Sequence, residues 1–164
     1  MEKKEQIEKV VKNAVEAQLR DDICSRSTLA GLQSCFDFIP DEMVDASLSL
    51  AGGTGAASGS CGAYCAGLLA VGAKYNASIE EEANDPSVRM VGAQKFMEYR
   101  DRFLQEFGTV LCPEIHKQLF GKSFILTDPK QNEEFLTYPG HVEKCGEVVA
   151  VAARIAAEMI LEES

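Results

Sequence analysis

CGAYCAGLLAVGAKY, residues 61–75, is almost entirely apolar and rich in small side chains. A helix at the surface of a protein carries its apolar residues on one stripe, whereas here they lie on every side. Such a helix belongs in the middle of a bundle, and its glycines and alanines let neighbouring helices approach closely. Residues 61–75 therefore predict an all-α protein, a helical bundle with a central helix rich in small residues.

The rest of the chain also has helical spacing, and no segment alternates as a strand would. Residues 1–22 are predicted to form an N-terminal amphipathic helix with one apolar stripe: Ile7, Val10, Val11, Ala14 and Ala17. Further helices are predicted over residues 25–35, 40–51, 86–107, 112–121 and 141–161, separated by a polar loop at 76–85 and an irregular stretch at 122–140. Within 86–107 one stripe is assigned to the core: Phe96, Tyr99, Phe103 and Phe107. At 164 residues we expect a single helical domain, 1–164.

The composition argues against two classes of partner. The net charge is −10, whereas nucleic-acid binding needs clustered lysines and arginines. No apolar run approaches the roughly 20 residues that cross a bilayer, and no secretory signal is visible at the N-terminus. We therefore expect a soluble, cytoplasmic protein with no nucleic-acid or membrane partner. In a reducing compartment its six cysteines are not expected to form disulfides.

Three cysteines lie at predicted helix starts: Cys24, Cys61 and Cys112. The unpaired N–H groups and the positive dipole of a helix start favour a thiolate, so a lowered cysteine pKa is expected there. Thiolate is also the form that binds metal. Cys145 lies inside the last helix on its inward stripe, where a ligand and a buried filler cysteine look alike.

A glycine-rich run, GGTGAASGS, precedes Cys61 at residues 52–60. Such a run can wrap backbone N–H groups around a negative centre, either a phosphate or a cluster sulfide. No Gly-Lys-Ser/Thr follows it and no G-x-G-x-x-G is present, which argues against nucleotide binding. A flexible connector between helices is the alternative.

Three pairs are spaced four residues apart and would share a helix face: Cys61/Cys65, Cys112/His116 and His141/Cys145. These pairs would permit a mixed cysteine and histidine zinc site. The sequence has no C-x-x-C for a zinc ribbon or thioredoxin-type motif. No motif supports serine, histidine and aspartate catalysis, so no catalytic side chain is predicted.

Four segments carry a resemblance to a known family. Cys24 with Leu29, Leu32 and Gln33, followed by Ile39-Pro40-Asp41-Glu42, is similar to that family's first cysteine helix and turn. Three segments resemble the family's glycine-rich signature: Gly52-Gly53-Thr54-Gly55, Cys61-Gly62-Ala63 and Leu68 to Gly72. The family's last two cysteines are matched by Cys112, which follows Phe107-Gly108, and by Cys145, which follows Lys144. The chain thus resembles the C-GCAxxG-C-C family of redox-active proteins, whose domain also occurs in split-Soret cytochromes. Ala66 departs from the usual glycine, and Arg26 from an amide or small residue.

The resemblance implies that residues 24–161 form a four-cysteine redox domain with a non-haem iron centre, an iron–sulfur cluster of [2Fe–2S] type. Its implied metal ligands are Cys24, Cys61, Cys112 and Cys145, and the expected cofactor-binding glycines are Gly52, Gly53, Gly55 and Gly62. Cys35 and Cys65 are then extra, although Cys65 replaces Cys61 if it is the signature cysteine.

The expected function is that of an electron carrier or redox partner acting with a redox partner protein, and a homodimer is compatible with such a bundle. One alternative is a thiol-based redox enzyme or sensor with a reactive Cys61 or Cys65. A structural zinc protein and a helical interaction module with inert buried cysteines are the others. No enzymatic substrate follows from these residues.

Overall fold

The computed structural model of the protein describes residues 1–162, and within that range it contains nine α-helices and no strand. The helices are α1 (Lys3–Asp21), α2 (Cys24–Gln33), α3 (Asp41–Ala46), α4 (Gly62–Tyr75), α5 (Ile79–Asn84), α6 (Arg89–Phe107), α7 (Cys112–Phe120), α8 (Pro129–Thr137) and α9 (His141–Glu162). Short 3₁₀ turns occupy Ser47–Leu50 and Pro86–Val88. The all-α prediction is confirmed.

Helix α4 lies at the centre of the bundle, as predicted, and packs against α2, α6 and α9. Its buried residues are small apart from one valine and one tyrosine: Gly62, Ala63, Tyr64, Ala66, Gly67, Ala70 and Val71. Helix α1 packs along α9 and α2 through the stripe that includes Val10, Ala14 and Ala17. Among the described residues no helix has both the length and the apolar character needed to cross a bilayer.

The structure corrects the two segments that were predicted to be without helices. The polar loop at 76–85 contains α5, because Ser78 and Glu81 cap its start by reciprocal hydrogen bonds. The irregular stretch at 122–140 contains α8, whose first N–H groups donate to the Asp128 carboxylate. Both helices are short and contribute no buried residue of their own, so apolar periodicity does not reveal them.

Two further expectations about helices were wrong in detail. Phe96 is 48% exposed, whereas Tyr99 and Phe103 of the same stripe are fully buried. Only the part of α6 that faces α4 and α9 contributes to the core, and Phe96 lies away from it. The helix predicted over 40–51 is divided into α3 and the 3₁₀ turn at Ser47–Leu50.

Candidate metal or redox centre

Four helices bring one cysteine each to a common cavity of about 320 Å³. Cys24 and Cys112 are the first residues of α2 and α7, Cys61 is the N-cap of α4, and Cys145 lies one turn inside α9. The expectation that three cysteines begin helices is therefore confirmed. Cys145, for which the sequence leaves a ligand and a buried filler both open, lines the same cavity.

The backbone holds Cys61 and Cys112 side by side. An isolated antiparallel bridge joins Ser60 to Leu111. The N–H of Cys61 donates to the carbonyl oxygen of Val110 at 2.7 Å, and the N–H of Cys112 donates to that of Gly59 at 2.8 Å. These two hydrogen bonds fix the start of α4 against the start of α7.

The glycine-rich segment folds over the cavity in a left-handed conformation. Positive φ angles occur at Gly52, Gly53 and Gly55, and also at three residues with side chains, Thr54, Ala56 and Ser58. Gly52 and Gly55 line the cavity. The segment thus forms a series of hydrogen-bonded turns along one wall of the cavity.

Gly53 and Gly62 contact the cysteines themselves. A Cβ atom added at Gly62 would lie 2.9 Å from the Cys24 sulfur and 2.6 Å from the carbonyl oxygen of Leu50. One added at Gly53 would lie 2.9 Å from the Cys112 Cβ. Neither position has room for a side chain, because these distances are shorter than van der Waals contact.

Burial dominates the electrostatics of the four thiols. It raises the pKa of Cys24, raises the pKa values of Cys61 and Cys145 well above the ordinary range, and raises the pKa of Cys112 to about 12. Charge on neighbouring members of the set adds to this rise at Cys61, Cys112 and Cys145. The expected lowering of cysteine pKa at helix starts is therefore wrong for the metal-free chain, because desolvation outweighs the helix dipole.

Backbone N–H groups oppose this effect at two sulfurs. Hydrogen bonds from Gly52, Ser25 and Ala63 favour the thiolate of Cys24, and those from Tyr64 and Ala63 favour that of Cys61. The predicted role of the glycine segment as a donor of N–H groups is thus seen at Gly52. The other donors belong to the first turns of α2 and α4.

Cys35 and Cys65 lie outside the cavity lining. The Cys35 thiol faces the carbonyl oxygen of Gln6 at 3.7 Å. The Cys65 sulfur lies 3.6 Å from the Thr54 hydroxyl oxygen. Of the pair Cys61/Cys65, only Cys61 contributes to the cavity wall.

The two histidines behave differently. His116 Nε2 lies 3.3 Å from the Cys112 sulfur, as the four-residue spacing predicts. Burial lowers the pKa of His116 to about 4, so the ring is neutral at pH 7. His141 instead contacts the Asp22 carboxylate through Nε2 at 2.7 Å and the Tyr138 carbonyl oxygen through Nδ1 at 3.3 Å. The structure therefore does not bring His141 to Cys145 as a pair of ligands.

Sequence reasoning missed the rest of the cavity wall. It is mostly apolar, with a few polar side chains, and its other members include Gln18, Asp22, Leu48, Ile115, Leu119, Leu126, Asn132, Phe135, Leu136 and Val148. Asn132, Phe135 and Leu136 belong to α8, in the stretch that was predicted to be irregular. The spacing of these residues carries no signal that would have found them.

The donor set fits a thiolate-bound metal centre in its chemistry. Four thiols line one cavity, N–H groups point at two of the sulfurs, and apolar side chains surround them. Within residues 1–162 no three His, Cys, Asp or Glu side chains gather closely enough to hold a single metal ion. The fold and this pocket together define an all-helical protein with a four-cysteine site.

A family model described as "Putative redox-active protein (C_GCAxxG_C_C)" matches residues 23–159. The chain therefore belongs to the C_GCAxxG_C_C family, which confirms the resemblance seen in the sequence and its description as redox-active. A search of curated proteins finds no match, and a search of solved structures finds none either.

Proposed function

We propose that this protein binds an iron–sulfur cluster, of [2Fe–2S] type, through Cys24, Cys61, Cys112 and Cys145 and carries electrons between redox partner proteins. The observation that supports the proposal is the presence of these four thiols on one cavity, with Cys35 and Cys65 outside its lining. Thiolates are the usual ligands of such clusters. A cluster with two irons takes two thiolates at each, so its four ligands need not converge on one point.

Burial keeps the four cysteines as neutral thiols when no cation is bound, because it raises their pKa values, so a metal centre would have to displace their protons. Several thiolates buried together repel one another and lose hydration, which is why burial and neighbouring charge raise these pKa values. A bound cation offsets both penalties and removes the thiol protons. The chain supplies further stabilisation through the N–H groups of Gly52, Ser25 and Ala63 at the Cys24 sulfur.

The other side chains that line the cavity would keep water from most of the centre and leave part of it near the protein surface. When bound, an iron–sulfur cluster supplies reversible one-electron transfer. The apolar wall, including Ile115 and Val148, excludes water from the thiolates. Leu48 and Leu136 line the cavity and are 45% and 53% exposed, so part of the cavity wall lies at the protein surface. A reduced donor would give one electron there and an oxidised acceptor would remove it, with no bond of the chain formed or broken.

The test begins with anaerobic purification, a visible absorption spectrum, and measurement of iron, acid-labile sulfide and zinc per chain. We expect a coloured protein with iron and sulfide in equal amounts. Single replacements of the four cavity cysteines by serine should each lower the iron content, while Cys35→Ser and Cys65→Ser serve as matched controls that retain it. A colourless protein that cannot be reconstituted would contradict the proposal.

Two alternatives are decided by the same preparation. Zinc without colour would indicate a structural zinc site, for which the 3.3 Å contact between Cys112 and His116 is the supporting geometry. A metal-free protein with one rapidly alkylated cysteine would indicate a thiol-based redox enzyme or sensor. The raised pKa of Cys61 argues against that residue as the reactive thiol, so Cys65 is the position to examine.

A further inference from the structure

His116 lies against the cysteine site without being one of its thiols. It follows Cys112 by one turn of α7, and its Nε2 atom lies 3.3 Å from the Cys112 sulfur. The side chain is only 3% exposed. Bulk water is therefore not available to replace this contact.

Aromatic side chains hold the imidazole ring in place. It stacks on Phe135 with 4.5 Å between ring centres, and it meets the edges of Phe120 and Phe124 at 5.6 and 5.7 Å. The second ring nitrogen, Nδ1, is buried and has no hydrogen-bond partner among the described residues. Packing, and not a hydrogen bond to Nδ1, thus fixes the direction in which Nε2 points.

The chemistry of the contact decides which nitrogen carries the proton. A neutral imidazole has one N–H, and a metal-bound cysteine is a thiolate with no proton to give. A hydrogen bond between the two groups then requires the proton on Nε2. We propose that His116 donates its Nε2–H to the Cys112 sulfur and acts as a positioning residue that sets the reduction potential of the centre, an inference that rests on the function proposed above.

The effect of such a hydrogen bond has a definite sign. The donated proton draws electron density from the sulfur and stabilises the centre most after it has gained an electron. Hydrogen bonds to cluster sulfurs are among the factors that set the potential. Without the donor we expect the one-electron reduction constant to fall about tenfold, a decrease of about 59 mV.

Two variants separate the donor from the ring. His116→Phe keeps an aromatic ring between Phe120, Phe124 and Phe135 but has no N–H, and His116→Gln keeps an N–H at a similar reach. Tyr138→Phe is the matched control, since this ring packs on Phe120 and Phe124 and not on His116 itself. For each protein, prepared without oxygen, we would measure iron and sulfide per chain, the visible spectrum and the midpoint potential. Dithionite supplies the single electron in the titration, and the Nε2 proton stays in place.

The inference predicts that all three variants bind iron like the unmutated protein. The potential should be lower in His116→Phe, at least partly restored in His116→Gln, and unchanged in Tyr138→Phe. Equal potentials in the unmutated protein and His116→Phe would overturn the inference. Loss of iron from His116→Phe alone would also overturn it, because it would make His116 a ligand.

A second measurement covers the case in which His116→Phe does not fold. Pulsed electron paramagnetic resonance of the reduced, unmutated protein, with ¹⁵N-labelled histidine, should detect an exchangeable proton and a weak nitrogen coupling. A strong coupling, typical of a directly bound nitrogen, or the absence of the weak nitrogen coupling would refute the inference. An unmutated protein that binds no iron would instead refute the proposed function itself.

Discussion

Replacement of Gly67 by alanine should destabilise the bundle at the contact between α4 and α6. A Cβ atom at position 67 would overlap the hydroxyl oxygen of Tyr99 and would lie 2.8 Å from its Cε2 atom. Tyr99 is fully buried, and its ring packs against Tyr64 with 5.5 Å between ring centres. The Tyr99 ring must therefore shift within a filled core, or α4 and α6 must separate.

The expected loss of stability in Gly67→Ala is the difference between two opposing free-energy contributions. Overpacking of a filled core costs about 1–3 kcal/mol, and the complete burial of Tyr99 places this site toward the upper end. Alanine in place of glycine inside a helix recovers about 0.5–1 kcal/mol. We expect the free energy of unfolding of Gly67→Ala to be lower by about 2 kcal/mol, near the difference of those terms.

Tyr99→Phe tests whether the hydroxyl group is responsible. Its oxygen has no hydrogen-bond partner among the described residues, and an unsatisfied buried polar group costs about 1–3 kcal/mol. Tyr99→Phe should thus be at least as stable as the unmutated protein. In its background the cost of Gly67→Ala should fall only in part, because the Cε2 atom of the ring at position 99 would still lie 2.8 Å from the added Cβ atom.

The assay is urea unfolding followed by circular dichroism without oxygen, with iron measured in every sample. Gly146→Ala is the matched control in α9, since its added Cβ would meet Gln18 Cγ at an ordinary 3.7 Å. It should gain about 0.5–1 kcal/mol. A Gly67→Ala protein as stable as the unmutated one, or an equal loss of stability with tyrosine and phenylalanine at position 99, would contradict this prediction.

Three further predictions follow from the site and its surroundings. Ala56→Gly should raise the free energy of unfolding by up to about 1 kcal/mol in the same urea assay, because Ala56 has φ +53° and the left-handed conformation costs more for alanine than for glycine. An unchanged or lower free energy of unfolding would contradict this. Asp22→Ala should lower the free energy of unfolding by about 1–2 kcal/mol, because Asp22 has φ +55° and its carboxylate contacts His141 Nε2 at 2.7 Å. Asp22→Asn should cost less than half as much, since asparagine tolerates that φ and keeps an acceptor oxygen. Equal losses would contradict this explanation, because they would assign the whole effect to the charge of the carboxylate. In metal-free protein at pH 7, iodoacetamide should modify Cys61 and Cys112 at least tenfold more slowly than a free cysteine, because burial raises both pKa values and the thiolate is the reactive form. The rate at Cys112 should increase as the pH rises toward its pKa of about 12. Peptide mapping that finds both cysteines labelled at the rate of a free cysteine would be incompatible with this burial.

The sequence was sufficient for the fold class because the evidence for it is local. The small apolar residues of 61–75 identify the central helix, and the glycines before Cys61 and Cys112 mark two of the helix starts. The contact of His116 with Cys112 also follows from helical spacing. In each case a single element determines the outcome.

The remaining features depend on contacts between distant residues. His141 has the same spacing from Cys145, yet its ring contacts Asp22 at the end of α1, which no local pattern indicates. The direction of the cysteine pKa shifts was mispredicted for the same reason. A helix start favours the thiolate, but the amount of burial is set by other helices that close the cavity.

The wide spacing of the four cavity cysteines, at positions 24, 61, 112 and 145, has a consequence for the amount of protein in a cell. A metal centre that holds all four closes three long loops of the chain, and a ligand bound only by the folded state stabilises that state by mass action. Chains that lack the centre would spend more time unfolded and would be removed faster by proteases. On the proposed function, the abundance of this protein should therefore rise and fall with the supply of iron.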